Sequence, residues 1–111
     1  MRTTELYIDD TRSFQHVQYE FSERYPFLKI DFQRPMIGDM SSLFRKQRIK
    51  GTINIDENQT VVQIVKDFEA IFGLSMVLLR RSGNLWIGTS LTVDWTLERQ
   101  NREGETISRI N

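Results

Sequence analysis

Residues 5–34, ELYIDDTRSFQHVQYEFSERYPFLKIDFQR, lie without a gap over residues 52–81, TINIDENQTVVQIVKDFEAIFGLSMVLLRR, at an offset of 47 positions. The identical pairs are Ile8/Ile55, Asp9/Asp56, Phe21/Phe68 and Arg34/Arg81. Conservative pairs include Leu6/Ile53, Ser13/Thr60, Val17/Ile64, Tyr25/Phe72, Phe27/Leu74, Ile30/Val77 and Phe32/Leu79. Each half carries the same order of signals, a strand, a helix and a strand, so the fold is built from two such units. Two unrelated units of this kind would also align their apolar positions. The architecture therefore rests on the periodicity, and an internal duplication stands beside it as an alternative.

In the first unit, Leu6 and Ile8 alternate with Glu5 and Tyr7, the pattern of a short half-buried strand. Asp9 to Ser13 is a polar connection rich in N-cap residues. Phe14, Val17, Phe21 and Tyr25 then recur on one helical face, and Pro26 ends that helix. Leu28, Ile30 and Phe32 alternate with Lys29 and Asp31 as the second strand.

The second unit is more apolar. Ile53 and Ile55 mark its first strand. Thr60-Val61-Val62-Gln63 has the form of a capping box. Val61, Ile64, Val65, Phe68, Ile71 and Phe72 form a broad apolar stripe. Gly73 stands where a left-handed C-cap is expected. Leu74–Leu79 is nearly continuous in apolar residues and predicts a central strand. Arg80-Arg81-Ser82-Gly83-Asn84 predicts a hairpin turn with Gly83 at positive φ, and Leu85-Trp86-Ile87 returns. Asp94 is the expected cap of a last helix from Trp95 to about Arg102, followed by a polar, frayed tail.

The expected fold is a single α+β domain over residues 1–111: unit one 5–34, a connecting segment 35–51, unit two 52–89, and a C-terminal helix with its tail, 90–111. One sheet of about five strands carries the two main helices on one face. If Leu28, Ile30 and Phe32 face the helices together with Ser75, Val77 and Leu79, then Met76 and Leu78 point to the opposite face. With Trp86 and Trp95 they make a candidate interface. Cover for Met76 and Leu78 comes from the last helix (Trp95, Leu97), from the connecting segment, or from a second subunit. The connecting segment holds Met36, Ile37, Met40, Leu43 and Phe44, so it is expected to pack, with Asp39 or Ser41 capping a short helix.

At 111 residues the chain is long enough to bury one core without staples. Fifteen basic and fifteen acidic residues cancel, which removes a global electrostatic attraction to nucleic acid or anionic membranes. Cysteine is absent, which excludes disulfides, thiolate metal sites and cysteine nucleophiles. No apolar run reaches the length of a membrane span, so no membrane insertion is expected. The start, MRTTELYIDD, lacks the apolar stretch of a signal peptide. That predicts a cytoplasmic protein, or a periplasmic one if a leader has been removed.

Candidate chemistry is sparse. Arg45-Lys46-Gln47-Arg48-Ile49-Lys50 carries four basic residues in six. With Arg80 and Arg81 it forms a candidate anion- or nucleic-acid-binding set, against the alternative of a solvated face balanced by acids. The matched pairs Asp9-Asp10 and Asp56-Glu57 each follow a strand and precede a helix, where acids complement the helix dipole and form turns. His16 is the single histidine and cannot build an ordinary zinc site alone. No nucleophile elbow or glycine-rich phosphate loop occurs, so no catalytic residue, metal or cofactor is expected.

Residues 52–89 resemble the short N-terminal module found before secretins and TonB-dependent receptors, the STN-like module. The resemblance lies in a strand, a polar turn with Asn58 and Thr60, a helix ending in Phe72-Gly73-Leu74, and two strands. It implies a periplasmic module that makes protein–protein or signalling contacts. A ferredoxin-like fold has the same order of elements and is the alternative architecture. The functional expectation is a non-catalytic domain that binds another protein or a second copy of itself. The alternative is nucleic-acid or anion binding through Arg45, Lys46, Arg48 and Lys50.

Overall fold

The computed structural model describes residues 3–9, 11–33 and 50–109. Along the chain lie β1 (Glu5–Ile8), α1 (Phe14–Arg24), β2 (Leu28–Phe32), β3 (Gly51–Asn54), α2 (Val61–Phe72), β4 (Met76–Ser82), β5 (Leu85–Gly88), a 3-10 turn (Ser90–Thr92) and α3 (Leu97–Arg109). The class is α+β, and the two strand–helix–strand units follow each other as expected. The helix expected within 35–51 falls on residues outside those described, apart from Lys50 and Gly51.

The strands do not form the single sheet expected. β1 pairs antiparallel with β3 as a two-stranded sheet, while β2, β4 and β5 form a separate antiparallel sheet with β4 in the middle. This also corrects the ferredoxin-like alternative. Periodicity marks which residues face inward; it says nothing about which strand edges meet, and those pairings are distant in sequence. α1 packs on β2 and β1, and α2 packs on β4 and β3. Both sheets thus bury their inner faces against the same helices. One cluster joins Leu6 and Ile53, Phe21 and Phe68, and Leu28 and Leu78. Full burial of side chains of this size stabilises by roughly 1.5–3 kcal/mol each.

The local signals worked as chemistry predicts. Ser13 caps α1 by accepting the His16 N–H, and Thr60 and Gln63 close a reciprocal capping box on α2. Gly73 ends α2 at φ 65°, where a Cβ would be strained. Gly83 takes φ 64° in the β4–β5 turn. Ile71, expected in the buried stripe, is 45% exposed, so the inward stripe of α2 is Val61, Ile64, Phe68 and Phe72.

Matched positions of the two units occupy matched places through the helices. Leu6 lies directly opposite Ile53 across β1 and β3, and Phe21 and Phe68 are both fully buried. In the second strand of each unit the match slips by one residue. Leu28 and Ile30 are buried, but their counterparts Ser75 and Val77 are exposed, and the inward residues are Leu74, Met76 and Leu78. The exits from the helices differ: one passes through Tyr25-Pro26, the other through the left-handed Gly73.

The last helix is longer than expected and starts later. Thr96, not Asp94, caps it by accepting the Arg99 N–H at 3.1 Å. The stretch 103–109, expected to fray, is helical. Its buried residues are Leu97, Gln100 and Gly104, so after Leu97 the contact face is polar and small. Among the described residues no helix is long and apolar enough to cross a membrane.

Candidate functional site

Strand alternation sorts the three-stranded sheet into two faces. Leu28, Ile30, Met76 and Leu78 are turned inward and buried. Met76 (3% exposed) and Leu78 (2%) are therefore core residues. Their assignment to an exposed interface is corrected; the cause is the one-residue slip after Gly73. The outer face carries Lys29 and Asp31 of β2, Val77, Leu79 and Arg81 of β4, and Trp86 and Gly88 of β5, aligned by the pairs Asp31–Val77, Lys29–Leu79, Leu79–Gly88 and Arg81–Trp86. Val77 is 40% exposed and Trp86 37%. The Lys29 ammonium lies 5.4 Å from the Trp86 ring centre, a cation–π contact that holds the indole against the sheet.

An apolar groove of about 350 Å³ adjoins this face. It lies where β5 ends and leaves the first residues of β4 paired with β2 alone, and it is lined by Val61, Val65, Val77, Leu79, Gly88 and Val93. The Thr89 hydroxyl donates to the Leu78 carbonyl at 2.8 Å there, so a side chain replaces the missing strand. Leu85 and Leu91 stand out beside β5 at 69% and 97% exposed.

Trp95, the fourth expected interface residue, is half-buried. Two guanidinium groups lie over its ring, Arg99 at 3.8 Å and Arg80 at 5.5 Å from the ring centre. Arg80 also donates to Gln100 Oε1 at 2.9 Å, and the Gln100 amide donates to the Thr92 carbonyl at 2.8 Å and to the Thr92 hydroxyl at 2.7 Å. The Arg80 Nε is buried without a hydrogen-bond partner among the described residues. Trp95 and Arg80 thus tie α3 to the inner face of β4. Arg81, one residue on, points to the outer face and donates to the Gly83 carbonyl at 2.9 Å. The two arginines do not share a surface, because neighbours in a strand face opposite sides.

Asp10 lies outside the described residues, and Asp9 is not brought to Asp56 and Glu57. β1 and β3 are antiparallel, so Asp9, after β1, and Asp56 and Glu57, after β3, lie at opposite ends of their sheet. Asp9 accepts the Thr11 N–H at 2.9 Å and its hydroxyl at 2.6 Å, and these bonds hold its carboxyl below the usual carboxylate range. Asp56 makes the equivalent turn to the Asn58 N–H at 2.9 Å. His16 meets Glu20 at 2.8 Å on the exposed side of α1, and Arg12 pairs with the same carboxylate. Among the described residues no three metal-binding side chains converge.

A polar cleft of about 340 Å³ lies between the end of α1 and α3. Arg24 pairs with Glu57 at 3.9 Å and Arg102 with Glu98 at 2.6 Å, while Glu105 of the same lining pairs with Arg109 at 3.8 Å. Tyr25 forms its floor and donates its hydroxyl to the Ile55 carbonyl at 2.5 Å; burial pushes this phenol up to about 12. Of the basic segment, Arg45, Lys46 and Arg48 lie outside the described residues, and Lys50 is exposed.

Val77, Leu79 and Gly88 were missed as surface residues. The available signal was Gly73, whose left-handed conformation resets the strand that follows. No protein-family model, no curated protein and no solved structure matches the chain.

Proposed function

We propose that this chain is a non-catalytic protein-interaction domain that presents the outer face and free edge of its three-stranded sheet to a partner. The observation that carries the reading is the partly exposed pair Val77 and Trp86, continuous through Leu79 and Gly88 with an apolar groove. Contiguous exposed apolar surface with an aromatic anchor is the usual composition of an interface centre. The order β3, α2, β4, β5, with Gly73 ending the helix, is also the order on which the resemblance to the module before secretins and TonB-dependent receptors rests, and it supports a protein-binding role. The cross-strand pairing of Leu6 with Ile53, themselves matched at the 47-residue offset, supports a duplicated origin of the two units. A cytoplasmic location, or a periplasmic one behind a leader, goes with either version of this reading.

The test is affinity capture from lysate of the source organism with two baits, the native chain and a Val77→Lys/Trp86→Lys double variant. Both positions are already exposed, so the variant should keep native circular dichroism. A stoichiometric protein retained by the native bait and lost by the variant supports the reading. A protein held equally by both baits, or none at all by either, counts against this surface.

The second reading is nucleic-acid or anion binding through Arg45, Lys46, Arg48 and Lys50. One observation favours it: Lys29 and Arg81 flank Trp86 on the same open face and would offer a stacking ring between two cations. The same capture discriminates, since bound nucleic acid would be lost in high salt.

A further inference from the structure

We infer that the partner at this surface is a second copy of the chain, docked edge to edge along β5. The inference deepens the interaction-domain reading and rests on it.

The backbone supplies the first argument. The Arg81 N–H donates to the Phe27 carbonyl at 3.0 Å, on the β2 side of β4. Arg81 therefore turns its backbone groups away from β5. In an antiparallel pair the residue opposite does the same in mirror fashion, so Trp86, and by alternation Gly88, turn their N–H and C=O groups outward from the sheet. The far edge of the sheet is sealed differently. There Gln18 donates to the Ile30 carbonyl at 2.9 Å and Ser22 to the Leu28 carbonyl at 3.0 Å, both from α1. One edge of the sheet is closed by its own chain, and among the described residues no backbone bond is made to the outward groups of β5.

The second argument is what the β5 edge lacks. Exposed edge strands are normally protected by charges, proline or bulges. Residues 82–93, SGNLWIGTSLTV, contain no charge and no proline in a chain that is 27% charged. Leu85, Trp86, Leu91 and Val93 are exposed in this one stretch.

The third argument selects a second copy as the occupant. A two-fold dimer brings a patch against itself, so any charge on the edge would meet its own like. An uncharged edge meets that condition. Antiparallel pairing about a two-fold axis at Ile87 sets Trp86 opposite Gly88 of the second copy, and such a pair exchanges both backbone hydrogen bonds. The space beside Gly88 is open: no atom lies within 4 Å of where its Cβ would stand. The indole of one copy has room there to lie over the glycine of the other. Ile87 meets Ile87 of the second copy on the opposite face, and the sheet runs continuously through both chains.

The chain has no cysteine, which makes the register directly testable. Residues facing across the axis as a non-hydrogen-bonded pair have Cα atoms about 4.5 Å apart, within disulfide reach. Under mild oxidation of the full chain, Ile87→Cys should cross-link to a covalent dimer in high yield. Leu85→Cys, displaced along the strand from its own mate, should stay monomeric on denaturing gels. Sedimentation of the native chain across a wide concentration range should show a reversible monomer–dimer equilibrium, weakened at least tenfold in Gly88→Val. That variant fills empty space in the monomer and is expected to keep its stability, yet it blocks the second copy's Trp86. A strict monomer at about 1 mM overturns the inference, as does a dimer indifferent to Gly88→Val with no Ile87→Cys cross-link. If such a monomer still captures a protein lost with Val77→Lys/Trp86→Lys, only the self-pairing fails; if it captures none, the interaction reading fails with it.

Discussion

Gly104 of α3 lies against Phe27 so closely that a Cβ built on the glycine would stand 2.9 Å from the Phe27 Cβ and 3.2 Å from its carbonyl oxygen. The helix crosses the end of β2 at this point and has no room for a side chain. On an exposed helix, Gly→Ala adds up to about 1 kcal/mol of stability through propensity. Here the sign should reverse. Gly104→Ala is expected to destabilise by roughly 1–3 kcal/mol, the range for overpacking, measured as a lowered urea midpoint at unchanged slope. A stabilised Gly104→Ala would show that α3 docks more loosely.

Tyr25 sets a pH dependence. Its folded-state value of about 12 lies above the ordinary phenol near 10, because burial disfavours the phenolate. The unfolded chain therefore loses this proton first. The contribution is full below about pH 10 and disappears as pH rises from about 10 to about 12. Tyr25→Phe leaves the Ile55 carbonyl without this donor and should cost about 1 kcal/mol or more at pH 8. It should also flatten the alkaline loss. Denaturant titrations of both chains at pH 8 and pH 11 check this; parallel losses would exclude Tyr25 as the source.

The Arg80–Gln100–Thr92 chain is expected to be the most sensitive polar feature of the fold. Gln100→Leu removes the acceptor of a guanidinium whose Nε already lacks a partner among the described residues, and leaves the Thr92 carbonyl with the Trp95 N–H as its donor. The expected loss is about 2–4 kcal/mol. Trp95→Ala, which removes the ring that Arg80 and Arg99 both contact, should lower stability and quench the near-ultraviolet signal of that indole. A Gln100→Leu chain as stable as the native one would mean that Arg80 finds another acceptor.

The helix ends give two smaller effects that are independent of tertiary contacts. Thr60→Ala removes the hydroxyl that accepts the Gln63 N–H, leaving only the backbone arm of the capping box, and should cost about 1 kcal/mol. Gly73→Ala forces a Cβ into the left-handed region and should cost roughly 1–2 kcal/mol. These sites are far apart in sequence along α2, so the double variant should show near-additive losses in thermal or urea unfolding.

Much of this fold was legible one turn of chain at a time. Ser13, Thr60 with Gln63, Gly73 and Gly83 each act through backbone groups a few residues away, so their roles follow from local chemistry alone. The inward faces of α1 and α2 follow from apolar residues at helical spacing, with Ile71 the exception. α3 was harder to read, because beyond Leu97 its contact face is made of Gln100, Asn101 and Gly104. Those residues are recognised only when Phe27 and Arg80 are brought against them. The candidate surface was half legible: Trp86 stood out, while Val77 and Leu79 were assigned to the wrong side of β4.

By itself the sequence determined the number, type and order of the described strands, the places where α1 and α2 start and stop, and a neutral chain without cysteine. Tertiary structure alone decided that β1 meets β3 while β2 meets β4, and which side of β4 is core. The physical reason is that side-chain period and capping are local properties. Strand pairing depends on edges that lie far apart in sequence, and in a strand of period two a slip of a single residue at Gly73 exchanges the buried and exposed faces.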